Sequence, residues 1–187
     1  DIRDIGNDDF STMEELVLGR STSVSGNIRS LRVLKDTLRE LTLDDCPNVD
    51  GNFVDLADFS QLSKLHLDNP AVTVDIQDLS NGDFARLKEF VFYSSLASGN
   101  IRDLRVLKDT LEDVTISHCR NMEGSFMDLA DFPQLRALYL RDTAVTGDIR
   151  DIGKDDFSKL EQLFLPSTIY GGNEYELQRI SDAPELM

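Results

Sequence analysis

The chain has 187 residues, 40% of them apolar, and its 19 basic and 35 acidic side chains leave a formal charge of −16. No apolar run approaches the roughly 18 residues of a membrane helix, and the charge opposes general binding to nucleic acid or an anionic membrane, which both need a positive surface. Its two Cys exclude a disulfide-dense scaffold.

The chain repeats itself. NIRSLRVLKDTL at 27–38 returns at 100–111 as NIRDLRVLKDTL, eleven of twelve identical, at an offset of 73. DLADFSQL at 55–62 returns as DLADFPQL at 128–135 at the same offset, and DIRDIGNDDFS at 1–11 returns as DIRDIGKDDFS at 148–158. Self-similarity at a fixed period marks stacked architectures.

In chain order, the pattern LxxLxL, with Met, Phe, Val or Ile admitted, falls seven times. It reads Met13-Leu16-Leu18, Leu38-Leu41-Leu43, Leu62-Leu65-Leu67, Leu87-Phe90-Phe92, Leu111-Val114-Ile116, Leu135-Leu138-Leu140 and Leu160-Leu163-Leu165, spaced 24 or 25 residues apart. Side chains alternate along a strand, so the two apolar residues of each LxL share one face of a short strand. Seven or eight residues past each copy stands Gly26, Gly51, Gly99, Gly124, Gly147 or Gly172, with Val74 in that place once. These glycines suit close backbone approach or positive φ. In IRDLRVLKDTL, Ile101, Leu104, Leu107 and Leu111 recur every three or four residues, which predicts a helix of one or two turns or a 3₁₀ piece. DLADF and DIGKDDF read as tighter turns, with Asp placed to cap free N–H groups.

These repeats resemble the leucine-rich repeat family. The GxI step after each strand is similar to the plant-type subclass, whose repeats of about 24 residues carry LxGxIP; here Arg29, Arg102, Arg150, Gln77, Val54 or Met127 replaces the Pro. The resemblance implies an α/β solenoid: a curved right-handed coil with a concave parallel sheet and short helices or 3₁₀ turns on the convex side. It covers residues 1–172. Residues 173–187 read as a degenerate repeat, a C-terminal cap or a linker. Asp1 stands in the phase of Asp148, so a longer parent array is expected.

Folded this way, the outward strand positions form columns across the sheet. The second runs Val17, Thr42, His66, Val91, Thr115, Tyr139, Phe164, and the third Gly19, Asp44, Asp68, Tyr93, Ser117, Arg141, Pro166. Asp44 and Asp68 become neighbours about 4.8 Å apart, with Asp45 nearby, and like charges so placed repel unless a cation arrives. Val91, Tyr93, Tyr139 and Phe164 gather apolar and aromatic surface around Arg141, and Tyr and Arg are favoured interface anchors. The expected partner-contacting residues are thus Asp44, Asp68, His66, Val91, Tyr93, Tyr139, Arg141 and Phe164.

No chemistry is expected: no catalytic group, cofactor or metal site. His66 and His118 fall in different columns two repeats apart, with no nucleophile in reach. Asp8-Asp9, Asp155-Asp156 and Asp78/Asp83 lack the order of a calcium loop and read as solvated caps. Cys46 and Cys119 share one repeat position, matched by Ser21, Pro70, Ser95, Thr143 and Thr168. About 14 Å separates the two sulfurs, beyond disulfide reach, so both are expected as free inward thiols. The leading functional expectation is a non-enzymatic scaffold that binds a protein or peptide, with a basic surface favoured by its acidity, through the concave face. Alternatives are a structural or assembly subunit, and extracellular receptor-type recognition. Free thiols and the absence of any N-x-S or N-x-T sequon lean toward an intracellular setting, with an extracellular one left open.

Overall fold

Each LxL segment forms a short strand, and the strands stack. The computed structural model describes residues 1–6, 10, 12–94 and 96–169. Asp8, Asp9, Ser95, Gly172 and the 173–187 tail lie outside them. Twelve strands are found among the described residues: β1 Glu15–Gly19, β2 Gly26–Asn27, β3 Glu40–Asp44, β4 Val49–Asn52, β5 Lys64–Asp68, β6 Val72–Thr73, β7 Glu89–Tyr93, β8 Ser98–Asn100, β9 Asp113–Ser117, β10 Asn121–Glu123, β11 Ala137–Tyr139 and β12 Gln162–Phe164. The sheet runs β1-β3-β5-β7-β9-β11-β12, parallel wherever a register is formed. Glu15 pairs with Glu40, Glu40 with Lys64 and Lys64 with Glu89, so each step spans one sequence repeat.

The return path is built from 3₁₀ helix rather than α-helix. The longest pieces are Ile28–Leu34 and Ile101–Leu107. Their buried residues, Ile28, Leu31 and Leu34 in one and Ile101, Leu104 and Leu107 in the other, stand three apart. A helix with three residues per turn aligns that spacing on one line, where an α-helix would rotate it away from the core. Asn27, Asn52, Asp75, Asn100, Ser125 and Asp148 start these helices, each side chain accepting a hydrogen bond from the N–H two residues on. The turn aspartates act likewise. Asp83 accepts from the Ser80 N–H and Asp156 from the Gly153 N–H, both at 2.7 Å.

Short ladders join successive units on the back of the coil, and their register slips. Gly26 pairs with Val49 and not with Gly51, and Gly51 pairs with Val72. The slip sets each glycine over the apolar residue that follows the preceding glycine. Gly51 and Gly99 have φ of +132° and +120°, and a Cβ on either would lie 2.6 Å from Ile28 Cγ1 or Ile76 Cγ1. Only glycine meets both demands.

The core between sheet and back is continuous. Leu41, Leu65, Phe90, Val114 and Leu138 from the strands meet Leu31, Leu56, Leu104 and Leu129 from the return path, all essentially inaccessible. Phe53 stacks on Phe84 and Phe90 with ring centroids 5.8 and 6.1 Å apart, and Phe126 on Phe157 at 6.0 Å.

Cys46 and Cys119 are free and fully buried. Their thiols donate to the Asp44 and Ser117 carbonyls. The buried residues in line with them are Asn69 and Ser94, each one residue earlier than the strand count gives; Pro70 is exposed and Ser95 lies outside the described residues. The loops after β5 and β7 are each one residue short at this point. Asn69 Nδ2 donates to the Cys46 and Val49 carbonyls at 3.0 and 3.2 Å, tying one unit to the previous one.

Leu138→Ala is expected to destabilise the protein by about 2–5 kcal/mol in a denaturant titration, the cost of a core cavity; a loss below about half a kcal/mol would contradict its inward placement. Both thiols are inaccessible, and burial pushes that of Cys119 up to about 11, so a thiol reagent at pH 8 should leave the folded protein unlabelled and titrate two thiols once it is unfolded without reductant.

Candidate functional site

The register carries the outward columns across the sheet as the sequence predicts. Val17, Thr42, His66, Val91, Thr115, Tyr139 and Phe164 are successive partners. In the third column Gly19 pairs with Asp44, Asp44 with Asp68, and Tyr93 with Ser117. Two clusters result.

The first is acidic. Asp44 and Asp68 face each other across β3 and β5. Arg20 Nε lies 3.7 Å from Asp44 Oδ2. Burial, and then the Asp44 carboxylate, hold the Asp68 carboxyl above the usual aspartate range. His66 stands on the same strand as Asp68, and its ring centroid lies 5.8 Å from that of Tyr93, linking this cluster to the next.

The second is aromatic. The Tyr139 and Phe164 rings stack at 4.7 Å and 8°, and the Tyr139 hydroxyl bonds the Gln162 side chain. Tyr93 and Phe164 are 37% and 39% exposed. Between Tyr93 on β7 and Tyr139 on β11 lies β9, whose outward residues Thr115 and Ser117 are small. The result is an open cleft of about 320 Å³, with His118 and Arg141 at the ends of their strands. His118 Nδ1 lies 2.9 Å from Asp142 Oδ2. Of the eight expected contact residues, Tyr93, Tyr139, Arg141 and Phe164 meet at this cleft, while Asp44, Asp68 and His66 flank it. Val91 is only 9% exposed and serves as floor between His66 and Thr115 instead of projecting. Thr115, Ser117 and His118 were absent from the expected set. The signal for the first two was their smallness beside large neighbours in the same columns.

A second groove, of about 650 Å³, follows the edge where the chain enters the strands, past Arg39, Gln61, Arg86, Lys88 and Glu112. Its charges answer one another: Arg39 with Glu14 at 3.3 Å, Lys88 with Glu112 at 2.7 Å, and Arg86 with Gln61 at 2.8 Å. No aromatic ring lines it. The concave cleft is the stronger candidate, because it alone offers aromatic anchors.

Among the described residues no group of His, Cys, Asp or Glu is arranged to hold a metal ion. No helix there is long and apolar enough to cross a membrane.

No protein-family model and no curated protein sequence matches the chain. Its structure is similar to the crystal structure of internalin C2 from Listeria monocytogenes, a leucine-rich-repeat protein, with a TM-score of 0.50. That likeness covers 94% of this chain and 77% of the other at 16% identity. The chain has the leucine-rich-repeat fold. At that identity the likeness concerns the leucine-rich-repeat framework, and the outward residues described above are this chain's own.

Asp68 gives the leucine-rich-repeat surface a measurable signature. Its carboxyl is raised in the folded protein, so the folded state binds the proton more tightly than the unfolded chain. Stability contributed by this group is present at low pH and is lost as pH rises through the raised value. Asp68→Asn should therefore raise the melting temperature at pH 7, with the gain vanishing below about pH 3.9, where both proteins are neutral at this position. A gain independent of pH would refute the electrostatic cause.

Proposed function

We propose that this leucine-rich-repeat protein is a non-enzymatic scaffold that binds a protein or peptide partner on its concave sheet. The observation that carries this reading is a contrast inside the chain. Across the 73-residue offset the longest segment of the return path is nearly unchanged, with NIRSLRVLKDTL and NIRDLRVLKDTL differing at one position. Most outward concave positions at the same offset differ: Thr42 and Thr115 agree, but Asp44 becomes Ser117, Lys64 becomes Ala137, His66 becomes Tyr139 and Asp68 becomes Arg141. Packing demands the same residues from each block, whereas a recognition surface demands different ones. The strand face of a solenoid is also its extended continuous surface, and exposed Tyr with Arg supplies the usual anchors.

The net charge of −16 favours a basic partner and salt-sensitive association, and disfavours nucleic acid. The near-identical backs support a second reading, a spacer or assembly subunit, in which the concave side chains are dispensable.

Affinity capture from source lysate at low and moderate salt separates the two. The baits are the native chain and a Tyr93→Ala/Tyr139→Ala/Phe164→Ala variant, with bound proteins identified by mass spectrometry. A partner held by the first and lost by the second is the expected result. Equal capture by both, or capture only of the chain itself, would replace this reading with the structural one.

A further inference from the structure

The concave face is electrically and chemically polar along the solenoid axis. Over β3 and β5 the third column presents Asp44 and Asp68, with Asp45 donating its N–H to the Asp68 carbonyl beside them. Over β9 and β11 it presents Ser117 and Arg141, next to Tyr139 and its stacked partner Phe164. The charge reverses between positions that are equivalent in the repeat, Asp68 and Arg141. A cationic side chain is therefore attracted to the acidic end.

The cleft at the second end has the dimensions of one flat side chain. Tyr93 and Tyr139 stand on strands two apart, about 9.6 Å across the sheet, and two residues apart along it, so about 12 Å separates their backbone positions. Aromatic rings pack with centroids about 4.5–7 Å apart, so one further ring fits between the two tyrosines in an offset arrangement. Arg141 at the rim offers a guanidinium to the face of such a ring. The volume, about 320 Å³, is at the bottom of the range for small-molecule sites, and the cleft opens to solvent. It suits a side chain presented by a larger partner.

We infer that the concave face binds an extended segment crossing the strands, which seats an aromatic side chain in the Tyr93–Tyr139 cleft and a Lys or Arg four residues away on Asp44 and Asp68. The inference rests on the binding reading above and specifies its ligand. The spacing follows from the register. The cleft centres on β9, and the acidic pair lies between β3 and β5, about two and a half strand spacings or 12 Å away. An extended chain advances about 3.3 Å per residue and places every second side chain on one face. Residues four apart span about 13 Å and point the same way, whereas residues three apart point oppositely.

The test uses the whole chain as bait against a display library of randomised linear peptides, read by sequencing, followed by fluorescence anisotropy on synthetic peptides. The expected result is enrichment of one aromatic residue and one Lys or Arg four positions apart, in one chain direction. Asp44→Asn/Asp68→Asn should weaken the selected peptide about two- to fivefold, as for an exposed ion pair, and erase its preference for Lys over Ser. Tyr93→Ala should weaken it about tenfold while leaving that charge preference intact. Both variants are surface changes, and circular dichroism should show the fold retained. Enrichment of acidic residues, of a different spacing or of no motif would overturn the inference. If the lysate partner is nevertheless lost on removing Tyr93, Tyr139 and Phe164, the concave-face reading survives without it; if no such partner exists, both fall.

Discussion

A single turn of this coil has nowhere to bury Leu104 or Leu138 except against the turns before and after it. Phe84 and Phe157 make the dependence visible. They occupy the same place in the repeat, their rings are 0% and 7% exposed, and their N–H groups donate to the Ala57 and Ala130 carbonyls of the preceding units. Phe84 and Phe157 also hold φ near +50°, an uncommon region for a bulky residue, and the buried ring with its hydrogen bond offsets that strain.

This closure requirement explains why the longest back segments, 27–38 and 100–111, are nearly invariant and the front is not. The 3₁₀ pieces, the capping Asn, Asp and Ser side chains and the glycines that sit on an Ile or Phe below them all serve the contact between units. Exposed ion pairs on the flanks and back, such as Arg32 with Asp58 and both Arg105 and Lys108 with Asp131, run between units as well. Each contributes little on a solvated surface. Their effect is to consume basic side chains and leave the acidic excess to shape the remaining field.

Much of the fold was legible because its period is short and its inward residues are nearly all Leu, Ile, Val or Phe. The strands, the outward columns, the glycine role and the two free thiols follow from spacing alone. The back was less legible. A spacing of three suits 3₁₀ helix, but four of its residues also read as a short α-helix until the packing selects Ile101, Leu104 and Leu107. A residue missing after β5 and another after β7 broke the alignment counted from the strands, so Asn69 and Ser94 were passed over for the residues that follow them. Within the site the large side chains were visible, and the hollow was not. Thr115 and Ser117 are unremarkable in sequence and matter only because Tyr93 and Tyr139 rise on either side. Val91 was misleading in the opposite sense: its outward phase is correct, yet its neighbours cover it.

The division of labour also bears on how such a surface can change. An inward substitution alters a core shared by two or three units, so its effect spreads along the coil. An outward substitution alters one point of a column and leaves the stacking intact. The two blocks of this chain hold that comparison within one molecule. Their longest back segments differ at one residue in twelve, while their fronts exchange Asp for Arg and His for Tyr at matching positions. A spacer built from repeats has no physical reason to diverge more on its strand face than on its back. A binding face does, because two ends of one ligand rarely present the same chemistry.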